Sequence, residues 1–399
     1  MWKHAALGAG VFLALAGHAS AAEFSVDAYA DARLVVPPGE RSWVDGGLGK
    51  LRFGAGQPSP NLRFTEAVAQ ATLVLPADVQ AIAVVRVEPK QRSGIDALET
   101  YLWWRPEARD GWRWSVKAGA FFPPASVEND DLGWTSPYTL TPSAINSWFG
   151  NELRTIGGEG TIAWSGPVTV TAAAAVFCCN EPAGVLVAER GWSLDDRPTG
   201  LFERVRVPDA TAALFGMPVP ARTGMFENID GHVGWYGGLK FGLPGAGEAG
   251  VLYYDNDADP DASTPGDDAW HTRFWSGSLR TRLFGATILA QGLTGDTAVG
   301  DYPPVVTRFD AAFALASYDI GDWRASVRGD AFETRNSAGT LLDEDGHAFT
   351  AAVLWSAETW LRLGAELIDI VSRRRERLLE AGAPERDDVQ FQLSARVFL

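Results

Sequence analysis

The stretch VQFQLSARVFL, residues 389–399, decides the fold. Its alternate residues Val389, Phe391, Leu393, Ala395, Val397 and Leu399 are apolar, while Gln390, Gln392, Ser394, Arg396 and Phe398 between them are mostly polar. A period of two puts these sets on opposite faces of a strand, one oily and one wet. A strand that ends the sequence on its oily face needs a partner, because unpaired backbone groups in lipid cost several kcal/mol each. The expectation is that it pairs with the first strand and closes a barrel.

The same alternation runs back through the chain. FSVDAYADARL (24–34) sets Phe24, Val26, Ala28, Ala30, Ala32 and Leu34 against Ser25, Asp27, Tyr29, Asp31 and Arg33. TEAVAQATLVLPADVQAIAVVRVE (65–88) is two such runs joined at Pro76-Ala77-Asp78, a tight turn. In all, sixteen strands are expected, at 24–34, 64–75, 79–88, 97–105, 112–121, 157–164, 168–177, 229–241, 248–255, 270–282, 286–294, 307–318, 322–333, 347–356, 359–369 and 388–399. Most are near the roughly 9–11 residues that a tilted strand needs to cross a bilayer. Short turns alternate with long connections at 35–63, 89–96, 122–156, 178–228, 256–269, 295–306, 334–346 and 370–387. Short turns on one side and long loops on the other mark an all-β transmembrane antiparallel barrel, in which an even strand number keeps both termini on the periplasmic side. LGKLRFGAG (48–56) is a candidate stray strand that would need a partner to keep this parity.

The start of the chain fits export. Residues 1–21 carry Lys3 and His4, an apolar run from Ala5 to Ala16, and Ala19-Ser20-Ala21, the spacing a signal peptidase reads. Cleavage is expected after residue 21 or 22, leaving 22–399 as a single barrel domain. No segment has eighteen uninterrupted apolar residues, so no transmembrane helix is expected. The formal charge of −16 argues against nucleic acid as a partner, since a phosphate backbone needs a basic surface. The two cysteines, Cys178 and Cys179, are adjacent, and neighbours do not form an ordinary disulfide without backbone distortion, so no disulfide is expected. Trp103, Trp104, Trp112, Trp114, Trp164, Trp323, Trp355 and Trp360 flank short turns, as a girdle at the periplasmic headgroup level would.

Together these features resemble the Gram-negative outer-membrane porins, over the whole mature chain as an architecture. In that family the last strand usually ends in Phe; here Leu399 is last and Phe398 stands one step out of phase. The resemblance implies an outer-membrane location, lipid and lipopolysaccharide as surroundings, and passive diffusion of small hydrophilic solutes with no cofactor. It also implies that the third external loop, 122–156, bends inward and narrows the pore, and it raises the possibility of a homotrimer. The outward faces of the first three strands suit close wall-to-wall packing: Ala28, Ala30, Ala32, then Ala67, Ala69, Ala71, then Ala81 and Ala83.

With the apolar face outward, the lumen set includes the pore-lining candidates Arg113, Lys117, Arg324, Arg328, Arg362 and Arg396, with Asp330, Glu366, Gln390 and Gln392. In the third loop, Glu128, Asp130, Asp131 and Glu152 are expected to face basic wall residues such as Lys117 and Arg328, with Trp148 and Phe149 anchoring the loop to the wall. A short helix is expected there, with Thr141 as N-cap and Pro142 at its first position. Two other function classes stay open. A barrel enzyme would need a nucleophile and a positioned base; His232 on a polar strand face, and His271 and His347 near external strand ends, lie in no His-Glu-x-x-His or Gly-x-Ser-x-Gly motif, and no catalytic residue is assigned. A receptor or adhesin could act through the long 178–228 connection, whose role the sequence leaves open. DNDADPDASTPGDD (255–268) alternates aspartates as an EF-hand loop does, but Pro260 and Gly266 stand where Gly and Glu are needed. No metal site is assigned, and the loop reads as a solvated acidic surface.

Overall fold

The computed structural model describes residues 23–54 and 59–399; the expected signal peptide lies outside the described residues. Sixteen strands close one antiparallel barrel. In chain order they are β1 Glu23–Val36, β2 Asn61–Leu75, β3 Val79–Val87, β4 Asp96–Trp104, β5 Trp112–Phe121, β6 Thr155–Ser165, β7 Thr169–Cys178 and β8 Gly234–Leu243. They continue as β9 Gly247–Asp255, β10 His271–Leu283, β11 Ala286–Val299, β12 Val305–Ile320, β13 Trp323–Asn336, β14 Glu344–Glu358, β15 Leu361–Arg374 and β16 Glu385–Phe398. Every strand pairs with its neighbour in sequence, and β16 pairs with β1 from Tyr29↔Phe398 to Val36↔Phe391. The Leu399 amide adds a hydrogen bond to the Ala28 carbonyl at 2.9 Å.

The strands arise where the alternation places them, with different ends. β11 to β16 run longer than the apolar alternation suggests, because their ladders continue through polar pairs such as Asp296↔Arg308 and Glu333↔Asp345. The connections between them shrink accordingly, to 300–304, 337–343 and 375–384. Tight turns do what their residues allow. At β10–β11, Phe284 and Gly285 both take positive φ, 51° and 84°, the backbone that a two-residue hairpin twist requires. The described part of residues 48–56 makes two isolated parallel bridges, Gly49 to Ser42 and Leu51 to Leu194, and no ladder, so this stretch is no barrel strand.

Burial alternates residue by residue along β12, β13 and β16, and the exposed face is the outer one. Trp104, Trp112, Trp114, Trp323 and Trp360 are exposed near the short turns, and Trp112 and Trp323 meet Trp164 and Trp355 across the ladder. Trp103 is a correction to the expected girdle. It follows the opposite parity to Trp104 and points inward, where Arg105 lies 4.8 Å from its ring. A second outward aromatic row, Trp235, Tyr253 and Trp275, stacks across β8, β9 and β10 at 5.2 and 4.8 Å, nearer the long loops. The rule that the apolar face is outward fails on β12. There Phe309, Phe313 and Leu315 are buried inside, while Ala312 and Ala314 are exposed outside.

Cys178 and Cys179 are joined as a disulfide at the end of β7, contrary to expectation; Cys179 takes φ 66°, the local distortion that adjacent cysteines need. His232 lies before β8 rather than on a strand, since that strand begins at Gly234.

Removing Val397–Leu399 is expected to abolish the compact, heat-modifiable band of a folded barrel on cold gel electrophoresis. The truncation leaves Tyr29 and Ala30 of β1 paired with β2 only, without partners on the β16 side. An unchanged band would show that closure does not need this end of the seam.

Candidate functional site

Inside the wall, the inward faces of β12 to β16 carry charge beside apolar groups, and the 122–154 connection is hydrogen-bonded to them. Arg328 on β13 is the hub. Its guanidinium donates to Glu128 Oε1 at 2.8 Å, to the Thr141 carbonyl at 2.7 Å and to the Pro142 carbonyl at 3.1 Å, and its Nε donates to Asp330 at 2.8 Å. All these side chains are buried. Glu366 on β15 accepts from the Leu140 and Thr141 amides at 2.6 and 3.1 Å, and Asp330 accepts from the Ala144 amide at 3.1 Å. One buried arginine and two buried carboxylates on the wall thus satisfy backbone groups that a chain away from water must pair.

These contacts shift the expected helix. It spans Ala144–Glu152, and its N-cap is Ser143, whose Oγ accepts from the Asn146 amide at 3.3 Å. Thr141 and Pro142 do not begin it, because their carbonyls serve Arg328 and the Thr141 amide serves Glu366. Trp148 and Phe149 are fully enclosed; the Trp148 ring lies 5.3 Å from Phe274 and 5.1 Å from Phe309.

The expected pairing of loop acids with wall bases holds for some residues only. Glu128 meets Arg328; Asp131 meets Arg362 at 3.6 Å; Asp130 meets Arg280, which the sequence reading missed, at 2.7 Å. Lys117 meets no loop acid. It faces Glu159 on the next strand at 3.9 Å and the rings of Tyr101, Trp103 and Phe121. Arg324 pairs with Asp319 and donates to the Pro137 carbonyl at 2.8 Å. Arg396 pairs with Asp31 at 2.9 Å, and Arg113 stays exposed. Glu152 departs most from expectation. It turns toward the 179–233 connection, where Oε2 accepts from the Gly184 amide at 2.5 Å and Oε1 from Val187 at 2.9 Å and Trp148 Nε1 at 2.8 Å.

Below the 122–154 segment, on the side of the short turns, two cavities open. One, of about 630 Å³, is lined by Tyr138, Lys240, Glu248, Arg280, Arg282 and Thr171. The other, of about 420 Å³, is lined by Tyr29, Asp131, Glu358, Arg362, Arg396 and Phe398. Above the segment lies the 179–233 connection, in which residues 181–200 are all buried. At the external rim, ligand-capable atoms of Asp255, Asp257 and His271 lie within 4.8 Å of one another, and His271 Nε2 stands 3.0 Å from Asp255 Oδ1.

The barrel matches solved outer-membrane proteins along nearly its whole length. OmpT of Vibrio cholerae in its trimer form matches with TM-score 0.54 at 11% identity, covering 95% of this chain and 100% of that one. OmpF of Salmonella typhi in complex with daunomycin gives 0.55 at 9%, covering 94% and 97%. An anion-selective porin from Comamonas acidovorans gives 0.52 at 10%, covering 95% and 100%. At such identities the likeness is one of fold: a sixteen-stranded outer-membrane barrel of the porin type. No family model and no curated protein matches the chain.

Burial pushes the Glu152 carboxyl up to about 7 and the Glu189 carboxyl up to about 8, the latter also through Asp268, Glu376 and Glu152; Arg190 pulls Glu152 the other way, and Arg374 does so for Glu189. A raised carboxyl holds in the fold a proton that the unfolded chain releases. Its stabilisation is therefore fully present below the ordinary value of 4.5 and lost as pH rises through 7 to 8. Protease cleavage within 179–233 is expected to be faster at about pH 8.5 than at about pH 5.5, after correction for the protease's own profile. The double variant Glu152→Gln, Glu189→Gln is expected to narrow that difference; a wild type indifferent to pH would refute the assignment.

Proposed function

We propose that this chain is an outer-membrane porin, a passive channel for small hydrophilic solutes, set in lipid and lipopolysaccharide. In this reading the 122–154 segment bends inward and sets the width of the pore. The observation that carries it is the set of hydrogen bonds from that segment to Arg328, Asp330 and Glu366, three inward side chains on strands far from the segment in sequence. These contacts support a loop folded into the barrel over one resting outside it. At the edge of the remaining passage, loop acids pair with wall bases, Asp130 with Arg280 and Asp131 with Arg362. Such charged pairs beside a narrow lumen order water and favour polar solutes over apolar ones. The half-exposed Arg324, Arg362 and Lys117 and the exposed Arg113 line the passage, while the buried Arg328 and Arg396 hold its wall and loop in place. The reading needs no catalytic residue and no cofactor.

Deleting residues 138–152 is expected to raise single-channel conductance several-fold in planar bilayers, provided the variant still gives a heat-modifiable barrel. The variant Arg328→Gln tests the same seat by a smaller change. It leaves Glu128 and Asp330 buried without their partner, a loss of about 3–5 kcal/mol. A noisier and wider channel is expected. Unchanged conductance in both variants would place the segment outside the conducting path.

We further propose a homotrimer through the small outward faces of β1 to β3, where Ala30, Ala67, Ala69, Ala71, Ala81 and Ala83 let walls approach closely. The OmpT neighbour described as a trimer form has the same fold. Cross-linking in native membranes should give a trimer that Ala69→Trp abolishes; monomer alone in membranes and in mild detergent would sink the trimer.

A further inference from the structure

The 179–233 connection crosses the whole external mouth. It is rooted between β7 and β8, yet it is bonded to strands around the circumference. The Leu201 amide donates to the Ala97 carbonyl at the start of β4 at 2.8 Å. The Trp192 amide donates to Glu344 on β14 at 3.1 Å, and its Nε1 donates to the Glu333 carbonyl on β13 at 3.0 Å. Arg374 on β15 donates to the Glu189 carbonyl at 2.6 Å. Beneath, Ser147 of the Ala144–Glu152 helix donates to the Asp195 carbonyl at 2.9 Å, and the Trp192 ring lies 5.9 Å from Trp148. The fit is close. A Cβ added at Gly184, Gly191 or Gly200 would overlap Thr297, Glu344 and Asp96 respectively.

The seat is held by a chain of alternating charge. Arg33 meets Asp196 at 2.7 Å; Asp196 meets Arg52 at 3.0 Å; Arg52 meets Glu88 at 3.3 Å; Glu88 meets Arg197 at 3.1 Å. Arg197 then pairs with Glu203, which lies 3.7 Å from Arg86. Asp196, Arg197 and Glu203 belong to the crossing segment; Arg33 and Arg86 belong to the wall, Arg52 to the 37–60 connection and Glu88 to the 88–95 connection. Lifting the segment removes two carboxylates and one guanidinium, and leaves Arg33, Arg52 and Arg86 with Glu88 and with Asp31, which pairs with Arg33 at 2.8 Å and is shared with Arg396. Arg86 is short of partners even with the segment seated, since it is fully buried and none of its three nitrogens makes a hydrogen bond.

We propose that the 179–233 connection is a gate over the external mouth, latched by Asp196 in the Arg33–Arg52 clamp, and that the clamp is a binding site for a carboxylate-bearing solute. Asp196 occupies the clamp as the chain's own carboxylate. A solute carboxylate entering from outside takes its place, and the ion pairs that the segment gives up are replaced by water and by the solute. The polar latch can be exchanged in this way, whereas the apolar contacts of Val187, Trp192 and Leu194 offer an incoming solute nothing to bind and are broken when the segment lifts. The inference rests on the channel reading above.

The test uses the full-length protein in planar bilayers, with succinate as the probe carboxylate. Wild type is expected to show a low open probability that rises with succinate on the external side and does not rise with erythritol. Asp196→Asn is expected to raise the open probability at least about tenfold without succinate, because it leaves the clamp unmatched. Gly191→Ala, which alters fit and no charge, is expected to do the same. Leu51 and Leu194 are partners in a parallel bridge, close enough for a cross-link. In a Cys178→Ser, Cys179→Ser background, Leu51→Cys with Leu194→Cys is expected to stay shut when oxidised and to open on reduction with dithiothreitol. Continuous wild-type conduction equal to that of a deletion of residues 187–199, or an oxidised cross-link that leaves conduction unchanged, overturns the gate. Gating that ignores succinate overturns the carboxylate site. If no variant conducts, the deletion included, although all give folded barrels, the channel reading fails and the gate falls with it.

Discussion

Everything in this protein depends on the pairing of its first strand with its last. A sheet in lipid has nowhere to leave an amide or carbonyl, so β1 and β16 must meet, and they do so over Tyr29 to Val36 and Phe391 to Phe398. Closure fixes parity, and parity fixes which ends carry the tight turns. It also makes inside and outside strict alternatives for every side chain. Trp103 and Trp104 are neighbours in sequence and lie on opposite sides of the wall for this reason alone.

The inside that closure creates is filled more than a water-lined tube needs to be. Phe274, Phe309, Trp148 and Trp192 make an aromatic cluster within it, while Arg328, Glu128 and Asp330 are buried beside that cluster. A buried arginine is costly unless its donors are used, and Arg328 uses its three nitrogens on two carboxylates, two carbonyls and the Thr139 and Thr350 hydroxyls. These bonds give the 122–154 segment one position rather than many, and polar networks serve that purpose better than apolar contact, which tolerates sliding.

How much of this could be read in advance follows from the range of each interaction. The strands were legible because a period of two is local: eleven residues such as 389–399 contain it. Turns were legible from Pro76-Ala77-Asp78 and its kind. Most ion pairs were not, because Arg33 and Asp196, or Asp130 and Arg280, are brought together only after closure, and many other arginine–carboxylate pairings satisfy the same composition. Glu152 shows the limit. Its place on the segment was apparent, but its turn toward Gly184 depends on a second loop whose path has no period. β12 misled for another reason: its apolar residues face a packed interior, and small alanines suffice for the lipid side.

The wall is uneven in height. β3 to β9 span 9 to 11 residues, whereas β10 to β16 span 13 to 16. The 179–233 segment is rooted on the low side, and Glu333, Glu344 and Arg374, against which it rests, stand on the high side and come later in the chain. The resting place of the segment therefore exists only where β13 to β15 already stand in the wall. The low side supplies the cover and the tall side the ledge that receives it, so neither half of the sheet can close the mouth without the other.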